Sequence, residues 1–269
     1  MKRALFLSCA GLLLLTGCGG EDAAPRPPSP VSPSPTVSAA PTASQAPWWE
    51  SLAPEDLPTQ VASLEELAGL GAEEAALLGE VPAAALYGLG NEEGILLERD
   101  GALSYFPQAW CPPDLPTLPE LYQLDLDGDG EDEVAARYLV QAEGEQILYD
   151  LHIYDWEGGT CADCPVTAEA CAALAGAELE TVWSPSAGTF TLFCGGDSVT
   201  CQVPEGVSGE VSLSLDACFF RESEAGFTVV LGARAAPGGT WFANVLADVI
   251  YSDRSFSLRD VRLEQTTVV

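Results

Sequence analysis

Basic residues are scarce in this chain of 269 residues. Ten lysines and arginines stand against 41 acids, which gives a formal net charge of −31, and the single lysine is Lys2. Proteins that bind nucleic acid or anionic lipid headgroups need a basic surface, so the sequence argues against both kinds of partner. The same charge attracts divalent cations and basic peptides.

Histidine and catalytic motifs are equally scarce. The only histidine, His152, lies in the run LHIYDW, whose alternation is typical of a β-strand. The chain contains no nucleophile elbow, no Walker loop and no HExxH motif. These absences favour a non-catalytic protein. An extracytoplasmic enzyme, either a carboxylate-based hydrolase or a CxxC redox protein, stays open as the alternative.

A long apolar run occurs only at the N-terminus. Residues 4–15 are predominantly apolar, follow Lys2 and Arg3, and are too few to cross a bilayer as a helix, which is typical of a secretion signal. The run ends in LTGC, which resembles the lipobox of bacterial lipoproteins. This resemblance implies removal of residues 1–17 and acylation of the Cys18 sulfur, which would anchor the protein in the lipid bilayer at the extracytoplasmic face of the cell membrane. The alternative is an ordinary cleaved signal with an incidental cysteine.

Proline, serine, threonine and alanine dominate residues 18–47, with no apolar periodicity. Such a segment has too little hydrophobic surface to offset the entropy of ordering, so we predict a disordered tether. In a polyproline II conformation it would extend about 3.1 Å per residue, or roughly 80 Å in all. A glycosylated stalk is the alternative interpretation. Residues 48–269 are long enough for a single domain with its own core.

Short strand-like runs separated by turn residues dominate residues 84–269. The sequence therefore predicts a mainly β (α+β) domain of antiparallel meander sheets with a few short helices. Ser63 and Glu66 form a capping box that predicts a helix start, and EEAALLGE (residues 73–80) predicts a second short helix before the β region. A further helix is predicted from Thr167 to Ala175.

The acidic stretch LDLDGDGEDEV lies between two predicted strands, LYQLDL and EVAARYLV. Glycines 128 and 130 allow a tight hairpin loop. The carboxylates of Asp125, Asp127 and Asp129 alternate and can converge, Glu131 can offer its backbone carbonyl, and Glu133 can close the shell. Such a set of oxygen ligands suits Ca²⁺. An acidic turn without a metal is the alternative.

This loop is not an EF-hand, because position twelve is Ala136 and no helices flank it. Its spacing, D-x-D-G-D-G-x-x-E, resembles the calcium loop of FG-GAP and VCBS-type repeats in β-propellers. Propellers repeat the loop in every blade, whereas this chain has it once, so we do not expect a complete propeller. More of the chain is similar to single-loop VCBS-type lipoproteins of Gram-positive gut anaerobes, in LLGEVP, GILLERDGALSYF, LPELYQLDLDGDGEDEVA, LHIYDWEGG and VIYSDRSFSLRDVRLE.

Seven cysteines follow Cys18, at positions 111, 161, 164, 171, 194, 201 and 218. An extracytoplasmic compartment permits disulfides, although an odd number cannot all pair. A turn centred on Asp197 and Ser198 would put Cys194 across from Cys201, so we predict a disulfide between them.

Cys161 and Cys164 form a CxxC motif between a strand and a helix. We predict a small disulfide loop there, with exchange to Cys171 as a possible variation. A thioredoxin-like redox site and a zinc site made by Cys161, Cys164 and Cys171 are the alternatives.

These observations favour a lipid-anchored, calcium-binding surface domain with a non-catalytic binding or envelope role. Its partner would be an extracellular protein or a glycan.

Overall fold

The computed structural model describes residues 47–107, 115, 117–144, 146–205, 207, 210–224, 226–237 and 239–266. Cys18, Cys111 and all but the last residue of the predicted tether lie outside the described residues. The described residues belong to one compact unit, Ala46–Val269.

Fifteen strands and two α-helices occur among the described residues. In chain order the strands are β1 (Ala75–Val81), β2 (Ala84–Leu89), β3 (Ile95–Arg99), β4 (Ala102–Phe106), β5 (Glu120–Leu124), β6 (Glu133–Glu143), β7 (Gln146–Glu157), β8 (Thr160–Val166), β9 (Leu179–Ser184), β10 (Thr189–Cys194), β11 (Asp197–Gln202), β12 (Ser212–Ser223), β13 (Gly226–Ala236), β14 (Trp241–Ser252) and β15 (Ser255–Gln265). The helices are α1 (Leu64–Ala68) and α2 (Ala168–Gly176), and 3-10 helices cover Trp48–Ser51, Pro54–Asp56 and Gly90–Glu92. The predicted fold class is confirmed.

Three sheets organise these strands. A four-stranded meander has the order β1-β2-β3-β4, a three-stranded sheet has the order β11-β10-β9, and an eight-stranded sheet has the order β15-β14-β13-β12-β7-β6-β5, with β8 also beside β7. Neighbouring strands are antiparallel, except that β12 meets β7 in parallel over two residue pairs. The large sheet curls into a half-barrel, and the described part of the chain forms neither a closed barrel nor a propeller.

The eight-stranded sheet is buried on both faces at β6 and β7, which lie next to its edge strand β5. Val134, Ala136 and Tyr138 pack in a core with the four-stranded sheet. Ala135 of β6 and Ile153 of β7 lie on the opposite face of the sheet. They pack in a second core with strands β12, β13 and β14, the three-stranded sheet and α2. This arrangement follows from the two-residue period of a strand. The junction of β5 and β6, where the acidic loop lies, therefore adjoins both cores.

The N-terminal part of the domain is less helical than predicted. Helix α1 begins at Ser63 with the predicted capping box, in which the Ser63 side chain accepts from the Glu66 amide. The helix predicted over residues 73–80 is wrong, because residues 75–80 belong to β1. Leu78 packs in the core between the sheets, whereas Leu77 packs in a separate cluster with Leu57 and Trp48. A strand sends consecutive leucines to opposite faces, so packing on two sides overrides the local helical preference.

The predicted Cys194–Cys201 disulfide is wrong because the turn lies earlier than expected. Gly195 and Gly196 connect β10 to β11, so Cys194 pairs with Asp197 and Cys201 pairs with Phe190. Four residues therefore separate the two cysteines along the ladder, which corresponds to about 13 Å. A disulfide requires Cα atoms within about 7 Å. The Cys194 thiol instead donates to the Val261 carbonyl of β15, with 3.2 Å between sulfur and oxygen.

The predicted Cys161–Cys164 disulfide is also wrong. Both residues lie on β8, and their odd separation sends the side chains to opposite faces of the sheet. Cys161 packs against the core between the large and four-stranded sheets, whereas Cys164 and Cys171 lie in the other core. The three thiols therefore cannot converge on a zinc ion. Burial raises the pKa of Cys161 to about 12 and of Cys164 to about 11, the opposite of a redox-active CxxC motif.

We predict that the two CxxC thiols, and the thiol of Cys171 beside them in sequence, stay reduced and unreactive in the folded protein. All six described cysteines are free thiols. Iodoacetamide should label Cys164 and Cys171 slowly before unfolding and completely in denaturant without reductant, because burial hides them and raises the pKa of each thiol. Mass spectrometry of proteolytic peptides measures the labelling. A peptide pair linked through Cys161 and Cys164 would contradict the strand register.

Candidate calcium site

The acidic loop connects β5 to β6 and begins where the strand ladder ends, at the pair Leu124 and Glu133. Its carboxylates organise its own backbone. The two oxygens of Asp125 accept from the amides of Gly128 and Gly130, at 2.7 and 3.1 Å. Both glycines have positive φ angles, +81° and +93°, and thus adopt the backbone conformation for which they were predicted.

Three of the predicted ligands converge. One carboxylate oxygen from each of Asp125, Asp127 and Glu133 lies within 4.8 Å of the others. Calcium binds oxygen at about 2.3 to 2.6 Å, so two oxygens on one ion are at most about 5 Å apart. The residues present therefore fit a calcium ion with an all-oxygen shell.

The other two predicted residues are not part of this converging group. The Asp129 carboxylate accepts from the Glu131 amide at 2.7 Å and so shapes the loop. Asp129 and Glu131 both line the cleft beside the loop. Their roles as ligands remain predictions.

Glu133 differs from the other predicted ligands because it is buried, with only 4% of its surface exposed. One of its oxygens accepts from the Leu126 amide at 2.7 Å. Burial, and then the charges of Asp127, Asp155 and Asp129, raise the pKa of Glu133 from its ordinary 4.5 to about 7, although the Leu126 hydrogen bond opposes the shift. A buried carboxylate among like charges is destabilising unless a proton or a cation neutralises it.

Leu126 anchors the loop to the protein interior. Its side chain packs against the half-barrel core. It also fills the space beside Gly226, where an added Cβ would lie only 2.8 Å from the leucine Cδ2 atom. Because the Leu126 amide also donates a hydrogen bond to Glu133, the same residue fixes the loop to the core and orients the Glu133 carboxylate.

Asp155 is a charged neighbour of the site that the sequence analysis missed. Val134 pairs with Tyr154 in the β6–β7 hairpin, which brings Asp155 beside Glu133. Its carboxylate accepts from the Tyr251 hydroxyl at 3.1 Å and from the Arg254 Nε at 3.4 Å. The register of the β6–β7 hairpin could have predicted that Asp155 lies near Glu133. Its hydrogen bonds to Tyr251 and Arg254 could not be predicted, because these residues are almost a hundred positions away in sequence.

A concave surface of about 640 Å³ opens beside the loop. It is lined by six acids, two uncharged residues and one base: Asp127, Asp129, Glu131, Asp155, Glu157, Asp253, Trp156, Gly158 and Arg254. We call it the acidic cleft. Six carboxylates against one guanidinium make its potential negative, which attracts cations.

A second concavity of about 440 Å³ lies near the N-terminal segment. Its lining includes Trp48, Leu52 and Leu57 together with Asp56, Glu73 and Glu74. It therefore combines apolar and acidic groups. The loop carboxylates do not line it.

His152 lies within β7, as predicted, and is buried. Its Nδ1 atom lies 2.9 Å from both carboxylate oxygens of Asp163. The aromatic rings of Tyr138 and Tyr154 are next to it, and their hydroxyls form a hydrogen bond of 3.0 Å. Neither of the two concavities is lined by His152.

Comparison with known proteins does not identify a relative. No protein-family model matches the chain, and searches of curated proteins and of solved structures found no match. Among the described residues, neither helix has the length and apolar character needed to traverse a bilayer.

The Glu133 pKa predicts how the metal-free protein responds to pH. The folded state binds this proton more tightly than the unfolded chain, so the resulting stabilisation is complete below about pH 4.5 and is lost as the pH rises through about 7. We compare wild type with Glu133→Gln, which cannot titrate at this position, in the presence of excess chelator. Between about pH 5 and pH 8, the unfolding free energy of wild type should fall by up to about 3 kcal/mol more than that of the variant. Urea titrations at each pH measure this difference. Identical pH profiles for the two proteins would contradict the prediction.

Proposed function

We propose that this protein is a cell-surface lipoprotein whose β-rich domain binds one calcium ion structurally in the loop from Asp125 to Glu133. The convergence of Asp125, Asp127 and Glu133 carries the proposal. Hard oxygen ligands of this kind suit calcium or magnesium rather than softer metals. Calcium accepts an irregular shell with more ligands, which suits a flexible set of carboxylates and carbonyls.

The ion would act on stability because the empty loop contains uncompensated repulsion. Two like charges about 4 Å apart near a protein surface repel by about 4 kcal/mol. A divalent cation reverses this cost and removes the need to protonate the buried Glu133. Since the Leu126 side chain packs against the half-barrel core, fixing the loop also supports the half-barrel.

The proposed location follows from the N-terminal sequence. Acylated Cys18 would hold the protein in the lipid bilayer, and the Pro/Ser/Thr-rich segment would carry the domain away from the membrane. We infer a non-catalytic role in binding an extracellular protein or glycan, or in the cell envelope. The acidic cleft favours a partner with exposed basic groups.

A carboxylate-based hydrolase is the second candidate. Glu133, whose pKa is raised to about 7, lies near Asp155 in the way that a general acid lies near a second carboxylate. Asp155 is bound by Tyr251 and Arg254, however, which restricts its use as a base or nucleophile. Burial of Glu133 is also what a structural calcium ligand requires, and we therefore prefer the calcium role.

Calorimetric titration tests the metal site. We expect one calcium ion per chain with a dissociation constant of about 10⁻³ M or tighter. Replacing Asp125 and Asp127 together by asparagine should weaken binding at least about tenfold, because two charged ligands are lost. The control replaces the exposed Glu178 and Glu180 by glutamine, which removes the same charge outside the loop and should leave binding nearly unchanged. Equal weakening in both variants would mean that only net charge attracts the ion.

Cell fractionation tests the anchor. The Cys18→Ala variant should leave the membrane fraction, because no acyl chain can be attached, whereas Cys9→Ala within the predicted signal should remain in it. Metabolic labelling with a radioactive fatty acid should mark wild type and not Cys18→Ala. Wild type that takes up no label, or Cys18→Ala that is labelled like wild type, would reject acylation of Cys18.

A further inference from the structure

The last residue of the acidic loop, Asp132, is bound by groups outside the loop. Its Oδ2 atom accepts from the Gln123 side-chain amide at 2.8 Å. The Gln123 Oε1 atom in turn accepts from the backbone amide of Ala83 at 3.1 Å. Ala83 lies in the turn between β1 and β2, so two successive hydrogen bonds join the loop to the four-stranded sheet.

Arg99, at the end of β3, contacts the same residue from another strand of the four-stranded sheet. Its Nη1 atom lies 3.5 Å from the Asp132 carbonyl oxygen, a long hydrogen bond. Its guanidinium lies over the Trp156 ring of β7, 4.6 Å from the centroid. This stacking orients the arginine between the two sheets.

Asp132 also immediately precedes the buried ligand Glu133 in the chain. The next residue, Val134, packs in the core between the large sheet and the four-stranded sheet. A cation that holds Glu133 in place therefore restricts Asp132, which is the residue that Gln123 and Arg99 contact.

We propose that Gln123, Arg99 and Asp132 are positioning residues that couple calcium binding to the docking of the four-stranded sheet. The inference rests on the proposed calcium site. If docking of the four-stranded sheet places Asp132 so that calcium binds more tightly, then calcium must favour docking of that sheet by the same free energy, because thermodynamic coupling is reciprocal.

Two substitutions of Asp132 separate its hydrogen bond from its charge. Asp132→Asn and Asp132→Ala both remove one negative charge, but the asparagine oxygen still accepts from Gln123. In calorimetric titrations we therefore expect Asp132→Ala to bind calcium about two- to tenfold more weakly than Asp132→Asn, the range that the loss of one hydrogen bond produces. Gln123→Ala, which leaves every loop charge in place, should weaken binding by a similar factor relative to wild type.

Amide hydrogen exchange provides the second measurement. A local loss of structure at Asp132 alone would not change the effect of calcium on exchange in the distant strands β2 and β3. Calcium should slow exchange in β2 and β3, at amides such as those of Leu86 and Leu97, in wild type and in Asp132→Asn. In Asp132→Ala, calcium should slow exchange around the loop but should change β2 and β3 much less.

The outcomes distinguish the coupling from the calcium site itself. If wild type binds calcium and both Asp132 variants bind it equally, with the same slowing in β2 and β3, the coupling is overturned and the calcium site stands. If wild type does not bind calcium, the calcium site is overturned and the coupling with it. The coupling is supported if Asp132→Ala binds calcium more weakly than Asp132→Asn, Gln123→Ala binds it more weakly than wild type, and calcium no longer slows exchange in β2 and β3 of Asp132→Ala.

Discussion

The burial of the Glu133 carboxylate among other acids is the interaction on which this account depends. Removing a charged group from water is costly, and the nearby Asp127 and Asp155 increase that cost. The Leu126 amide supplies one hydrogen bond, which partly offsets it. A proton or a cation must provide the rest. The strand register makes the burial unavoidable, because Glu133 begins β6 and the following residues lie between the two cores.

The loop therefore connects parts of the protein that are distant in sequence. Leu126 links it to the half-barrel core, Asp132 links it to the four-stranded sheet, and Asp155 brings β7 and the β14–β15 turn to its edge. A metal at this point would stabilise the arrangement of sheets as well as one hairpin. In this position a single metal-binding loop would have a structural use outside a propeller.

Local patterns predicted much of this fold. The β3–β4 hairpin turns at Asp100-Gly101, where both residues have positive φ angles, a conformation that Asp-Gly favours in two-residue hairpin turns. The loop between β5 and β6 could also be located, since its acids and glycines are close in sequence. The Cys194–Cys201 prediction failed locally, because the turn lies earlier than expected. The other predictions that failed depended on distant partners. Residues 75–80 form a strand because each of two adjacent leucines meets a different core. The CxxC motif lies within a strand whose two faces are both covered. The lipid anchor and the bound ion stay predictions.

Thermal unfolding of the protein at increasing calcium concentration, compared with unfolding in excess chelator, tests the structural role of the ion most directly. A ligand that binds only the folded state stabilises it by about 2.7 kcal/mol at a hundred times the dissociation constant. For a domain of this size we expect the melting temperature to rise by about 5 to 10 °C and to keep rising with the logarithm of calcium concentration. Melting curves that superimpose with and without calcium would contradict the account, and Glu133 would then be neutralised by its proton alone.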